Sequence, residues 1–120
     1  MNKVNFNNET VRQAVNEWIN EEKLAESKYG HISKWDTSEE VTDMNFLFSK
    51  ADAFNQDIGN WDVISVNMKR MFCFAESFNQ DIGNWDASNM ESMFKEAKAF
   101  KQNLGNWNLS KDAGISLMFD

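Results

Sequence analysis

The feature that most constrains this chain is self-repetition: a block of 19 residues occurs three times, with Met, Phe, Gly and Trp at fixed places. The copies read MNFLFSKADAFNQDIGNWD from Met44 to Asp62, MKRMFCFAESFNQDIGNWD from Met68 to Asp86, and MESMFKEAKAFKQNLGNWN from Met90 to Asn108; a fourth starts at Ile115 as ISLMFD. A unit this short cannot bury its own apolar face, and stacking on its neighbours is what stabilises it. The pattern therefore predicts a solenoid of about 3.5 repeats running from residue 35 to 120.

Trp35, Trp61, Trp85 and Trp107 are 26, 24 and 22 residues apart, and all the variation lies between each Trp-Asp pair and the next Met, where the connections hold seven, five and three residues. An extended segment alternates its faces with period two, so losing residues in pairs keeps the same side chains inward. These connections are expected to be strands or extended arcs, although the last, Leu109 to Gly114, holds six and breaks the series. Inside the block, Met44, Leu47, Phe48, Ala51 and Phe54 recur at i, i+3, i+4, i+7 and i+10, which predicts a short helix or helical turn. Gly59, Gly83 and Gly105 are expected where a Cβ would obstruct the backbone. Asn55, Asn79, Gln56, Gln80, Gln102, Asn60, Asn84 and Asn106 are expected to bond turn backbone of adjacent copies, because buried donors need partners.

Ahead of the repeats, Val11, Ala14, Val15, Trp18 and Ile19 follow one helical stripe, predicting a helix over residues 6–30. Asn7 suits its N-cap, Phe6 is placed to staple onto Val11, and Gly30 suits the C-terminal cap. The stripe lapses at Glu21 and Glu22, where the helix is expected to end or bend before Leu24 and Tyr29 pack. Residues 1–34 then form a helical cap on residues 35–120, in one continuous domain.

Ten Phe and five Trp within 42% hydrophobic residues supply enough apolar surface to offset chain entropy. A net charge of −7 argues against direct nucleic-acid binding, which needs clustered Lys and Arg, and points to a neutral or basic partner. The single cysteine, Cys73, forbids an internal disulfide, and one histidine leaves no Cys/His zinc pattern. The segment MNKVNFNNET has no apolar core of a signal peptide and no run of 18 apolar residues occurs, so the chain as written is expected to be cytoplasmic and to lack a membrane span.

The WDxS start, the Met-Phe pair, the turn A-x-[AS]-F-N-Q-D-[IL]-G-N and a period of roughly 25 residues resemble the BspA-type leucine-rich-repeat surface proteins, including the repeat of mycoplasma lipoproteins. The resemblance covers Trp35 to Phe119, and the segment YGHISKWD from Tyr29 to Asp36 is similar to one that precedes such repeats. It implies an α/β repeat, a right-handed leucine-rich-repeat-like solenoid with an N-terminal capping helix. It also implies display at a cell surface for adhesion or recognition.

Residues that recur in every copy are expected in core ladders: the four tryptophans; Phe48, Phe72, Phe94 and Phe119; and Phe54, Phe78 and Phe100. Calcium is the sharper reading of Asp57, Asn60 and Asp62 and of Asp81, Asn84 and Asp86, but Asn103 and Asn108 replace the carboxylates in the third copy, so side-chain hydrogen bonding fits better and no cofactor is expected. Cys73 aligns with Ser49 and Lys95, a tolerant and partly exposed position, while His31 lies outside the repeats and no catalytic motif is present, so no enzyme is expected.

Two aromatics break the repeat: Phe46 aligns with Arg70 and Ser92, and Phe74 with Lys50 and Glu96. Either they are exposed partner-binding anchors or they fill gaps left by uneven connections. The variable arcs supply a second surface, with Glu39, Glu40, Thr42 and Asp43, then Ser65 and Asn67, then Asn89 and Glu91. The leading expectation is a non-enzymatic protein-recognition module of the BspA-like class binding through the strand face, anchored by Phe46 and Phe74. The alternative is a small acidic intracellular inhibitor, as a phage-borne antagonist would be, blocking the basic channel of a nucleic-acid-processing enzyme. Self-association through Ile115, Met118 and Phe119 at the end of the stack is a third expectation.

Overall fold

In a computed structural model of the chain, residues 5–105, 107, 118 and 119 are described, without the side chains of Ser38, Glu39, Ile64, Ser65, Ala87 and Ser88. The order is β1 (Asn5–Asn7), α1 (Asn8–Asn20), α2 (Glu22–Tyr29), a 3₁₀ turn (Ile32–Lys34), β2 (Asp36–Glu40), β3 (Ile64–Asn67) and β4 (Asp86–Asn89). Strands β2, β3 and β4 lie in the connecting stretches, and the strands pair in parallel as β1 with β2 and β3 with β4, both with register shifts. In the second pair, a connection of five residues lies beside one of three, and the irregular register absorbs the difference.

Asn7 caps α1 as its sequence suggests: its Oδ1 accepts from the Glu9 and Thr10 amides at 2.9 and 2.8 Å, while Thr10 Oγ1 accepts the Asn7 amide at 2.8 Å. Such a reciprocal cap contributes about 1 kcal/mol. Val11, Ala14, Val15 and Trp18 are buried, and the helical stretch breaks where the stripe lapses, α1 ending at Asn20 with Glu21 as its cap and α2 starting at Glu22. Ile19 and Leu24 do not pack as expected: they are 43% and 44% exposed. Ile19 stands on the flank of the stripe, turned about 100° from Trp18, which leaves it at the rim. Gly30 ends α2 at φ 80.

The two helices and β1 close one end of the repeats with an aromatic cluster. Trp35 meets Phe6, Tyr29 and Trp18 at centroid distances of 5.0, 5.6 and 6.0 Å. Partial burial of Tyr29, reinforced by the Glu17 carboxylate, raises its phenol above the ordinary 10.0. A folded-state pKa above the unfolded value means that this contribution to stability is present below pH 10.0 and is lost as pH rises through the raised pKa. As the chain's one tyrosine, it should ionise in a phenolate-absorbance titration above a model peptide; coincidence with the peptide would contradict the packing.

Beyond the cap the copies lie on one another in register. Phe48, Phe72, Phe94 and Phe119 stack at 5.6, 5.7 and 5.5 Å. Phe54, Phe78 and Phe100 form a second column at 6.0 Å spacing, and Trp35, Trp61 and Trp85 a third at 6.3 and 6.4 Å. Each tryptophan also ties its copy to the segment before it: the Nε1 groups of Trp61, Trp85 and Trp107 donate to the carbonyls of Ile32, Ile58 and Ile82 at 2.8, 3.2 and 3.0 Å. The polar ladder runs alongside, with Asn55 Oδ1 accepting from the Asn79 amide and Gln80, and Asn79 Oδ1 from the Lys101 amide and Gln102. Asn106, Asn108 and Ile115 lie outside the described residues.

The segment that reads as a short helix is a chain of turns. The amides of Leu47, Ser49 and Ala51 donate three residues back, to Met44, Phe46 and Phe48, at 3.2, 3.0 and 3.1 Å. The alternate amides, of Phe46, Phe48 and Lys50, donate to Lys69, Met71 and Cys73 of the next copy at 3.1, 2.9 and 2.8 Å. An α-helix would keep every interior amide within the segment; here the neighbouring copy takes half of them, and the apolar spacing is unchanged.

Alternate turns in this chain carry a positive φ at their third residue, supplied by Phe46, Lys50, Arg70, Phe74, Ser92 and Glu96 at φ 60, 65, 55, 60, 55 and 56. None is glycine, and an L side chain in this region costs about 1–2 kcal/mol. Glu96→Gly should therefore raise stability by about 0.5–1 kcal/mol after the entropy glycine adds to the unfolded chain. Urea denaturation measures this; a destabilised variant would contradict the turn geometry.

Candidate interaction surface

The left-handed turn positions settle how Phe46 and Phe74 sit. Both are exposed, at 48% and 39%, so neither fills a gap in the core. Their aligned partners Lys50 and Glu96 are exposed too, Arg70 is half-buried and Ser92 is buried. The turn imposes the backbone at these places and most of their side chains face water, so the fold has no requirement for a phenyl ring there. Phe46 lies beside Arg70 of the next copy, whose guanidinium carbon is 5.7 Å from the ring centroid, a cation–π distance. The Arg70 Nε is buried and makes no hydrogen bond among the described residues.

These aromatics belong to the turn segments, which corrects their assignment to the strand face. The strand-side residues have structural work of their own. Asp43, Asn67 and Asn89 each turn the chain by accepting the amide two residues on, from Asn45, Lys69 and Glu91, at 2.8, 3.2 and 3.1 Å. Their signal was in the sequence: an Asp or Asn stands directly before the Met of each copy, one place ahead of the block as delimited. Asn8 of α1 bonds Thr42 and Asp43.

The acidic character of this side is partly neutralised. Asp43 pairs with Arg12 at 3.1 Å and Glu91 with Lys69 at 3.3 Å, while Glu40 and Asn89 are exposed. The side chains of Glu39 and Ser65 lie outside the described residues. At the far end, Met118 is buried and its carbonyl accepts the Phe94 amide at 2.8 Å, whereas Phe119 is 44% exposed.

The groups with chemical potential are otherwise engaged. Asp57, Asp81 and Asn103 all accept the amide two residues on, from Gly59, Gly83 and Gly105, at 3.0, 2.9 and 2.8 Å, so carboxylate and amide do the same work. Among the described residues no group of three His, Cys, Asp or Glu is arranged to hold a metal ion. His31 Nδ1 lies 2.8 Å from Ser33 Oγ and its ring meets Trp18 edge-on. Cys73 is buried, not partly exposed as expected, whereas the aligned Ser49 and Lys95 are half-buried.

A family model described as "Mycoplasma protein of unknown function, DUF285" matches residues 15–120. The chain belongs to this family. The DUF285 match opens inside α1 at Val15 and runs through every repeat, so the second half of that helix and the stacked copies fall within one match. No curated protein and no solved structure matches the chain. No helix among the described residues is long and apolar enough to cross a membrane.

Proposed function

We propose that this DUF285 chain is a short leucine-rich-repeat-like solenoid, right-handed, of the BspA-type surface-protein class, and that it recognises another protein without catalysing a reaction. The in-register stacking of successive copies supports the solenoid reading, and the repeat motifs support the class. The observation that carries recognition is the exposure of Phe46 and Phe74 at turn positions where the other copies carry Lys, Arg, Ser or Glu. Exposed aromatics of this kind are favoured as interface anchors. An acidic inhibitor is the weaker reading, since two of the carboxylates it would rely on are already paired within the chain.

The test is retention of surface and matrix proteins by the immobilised chain at low and high salt. Phe46→Ala and Phe74→Ala should each weaken retention by about tenfold or more, with little dependence on salt. Retention of a nucleic-acid enzyme only at low salt, lost on Glu40→Gln and unaffected by either alanine variant, would establish the inhibitor instead.

A further inference from the structure

Between α1 and the first repeat runs a groove of about 350 Å³ whose apolar walls are Val15 and Ile19 on one side and Phe46, Leu47 and Ala51 on the other. Two of its walls, Ile19 and Phe46, are exposed to 43% and 48%, although both are large apolar residues. Its charged lining residues are Arg12 and Lys50, both cations, on a chain of net charge −7. Arg12 is committed to Asp43 and to the carbonyls of Asp43 and Asn45. Lys50 is exposed and makes no ion pair among the described residues. The carboxylates of Glu22 and Asp52 line the smaller neighbouring cleft of about 170 Å³, which shares Ile19 and Lys50.

We infer that this groove binds a short acidic and apolar peptide segment of the partner, with a large apolar side chain between Ile19 and Phe46 and a carboxylate held by Lys50. The inference rests on the recognition reading above and adds the partner's chemistry to it. An apolar side chain covers the two exposed walls, and the carboxylate meets Lys50, the lining cation that makes no ion pair among the described residues.

The experiment is an amide-resolved NMR titration of the full chain with three five-residue peptides. One has Phe and Leu alternating with Glu, one replaces the Glu residues by Lys, and one replaces Phe and Leu by Ala. The acidic-apolar peptide should shift the amides of Ile19, Phe46, Ser49 and Lys50, and both controls should bind at least tenfold more weakly. Lys50→Glu should weaken it by about tenfold with an unchanged melting temperature, and Lys50→Gln, which removes the charge without reversing it, should weaken it by a smaller factor. Equal binding of the lysine peptide, or shifts confined to Glu40 and Asn89, would overturn the inference, as would no binding of the acidic peptide at millimolar concentration. Phe74 is not among the groove's walls: if Phe74→Ala still weakens partner retention while the acidic peptide fails, recognition stands and the groove assignment falls.

Discussion

Phe72→Ala should lower stability by about 3–5 kcal/mol, a large share of the 5–15 kcal/mol that hold a domain of this kind. Phe72 is fully buried and sits at the centre of the ring lattice. Phe48 and Phe94 lie on its two sides at 5.6 and 5.7 Å, nearly parallel at 3° and 2°, Phe78 stacks on it at 4.1 Å, and Trp85 lies at 6.2 Å. Removing it leaves a cavity lined by four rings, and Phe48, Phe94 and Trp85 among them belong to residues held by hydrogen bonds between copies, so the site collapses little into the space. The copies on either side are hydrogen-bonded to the copy that holds Phe72, through Phe48 to Met71 and Phe72 to Met93, so a break here also weakens their coupling. Phe119→Ala, at the exposed end of the same column, should cost less than about 1 kcal/mol. Urea midpoints of the two variants measure the difference; equal losses would mean that the column is not the continuous core described.

Gly59→Ala should be the next most damaging change, at about 2–3 kcal/mol. A Cβ on Gly59 would run into the backbone carbonyl oxygen of Asp81 in the next copy. That oxygen belongs to a turn pinned by the Asp81 bond to the Gly83 amide at 2.9 Å, so relieving the clash means separating two copies. The aligned glycines make this a controlled comparison. A Cβ on Gly83 or Gly105 would come nearest to a side-chain oxygen, Asp81 Oδ1 at 3.1 Å or Asn103 Oδ1 at 3.0 Å, which moves by a few tenths of an ångström. Gly83→Ala and Gly105→Ala should each cost under about 1 kcal/mol, and thermal melts of all three test the order. A Gly59→Ala protein as stable as the other two would show that the copies do not approach so closely there.

Much of this was legible in the residues because a repeat must satisfy the same neighbours each time it occurs. The aromatic columns, the amide ladder of Asn55 and Asn79, the cap at Asn7 and the strands in the connections all follow from that condition or from local chemistry. The candidate surface was legible by contrast: Phe46 and Phe74 stand out only because their aligned residues are polar, and alignment alone left open whether they were buried. The groove beside Phe46 was not legible at all, since it needs α1 to lie against the first repeat with Ile19 at its rim.

What the sequence alone determined is the existence, the number and the register of the copies, and which side chains run through their core. Periodicity in apolar residues is a property of the chain, and any stable packing must honour it. What the tertiary structure decided is where backbone donors go and which flanking residues end up covered. Met44, Leu47, Phe48 and Ala51 have the spacing of a helix, and it is the carbonyls of Lys69, Met71 and Cys73 in the next copy that draw off alternate amides and turn the segment into consecutive tight turns. That competition places Phe46 and Phe74 in the left-handed region, facing water. It involves residues 23 amino acids apart, and so it lies beyond the reach of any local pattern.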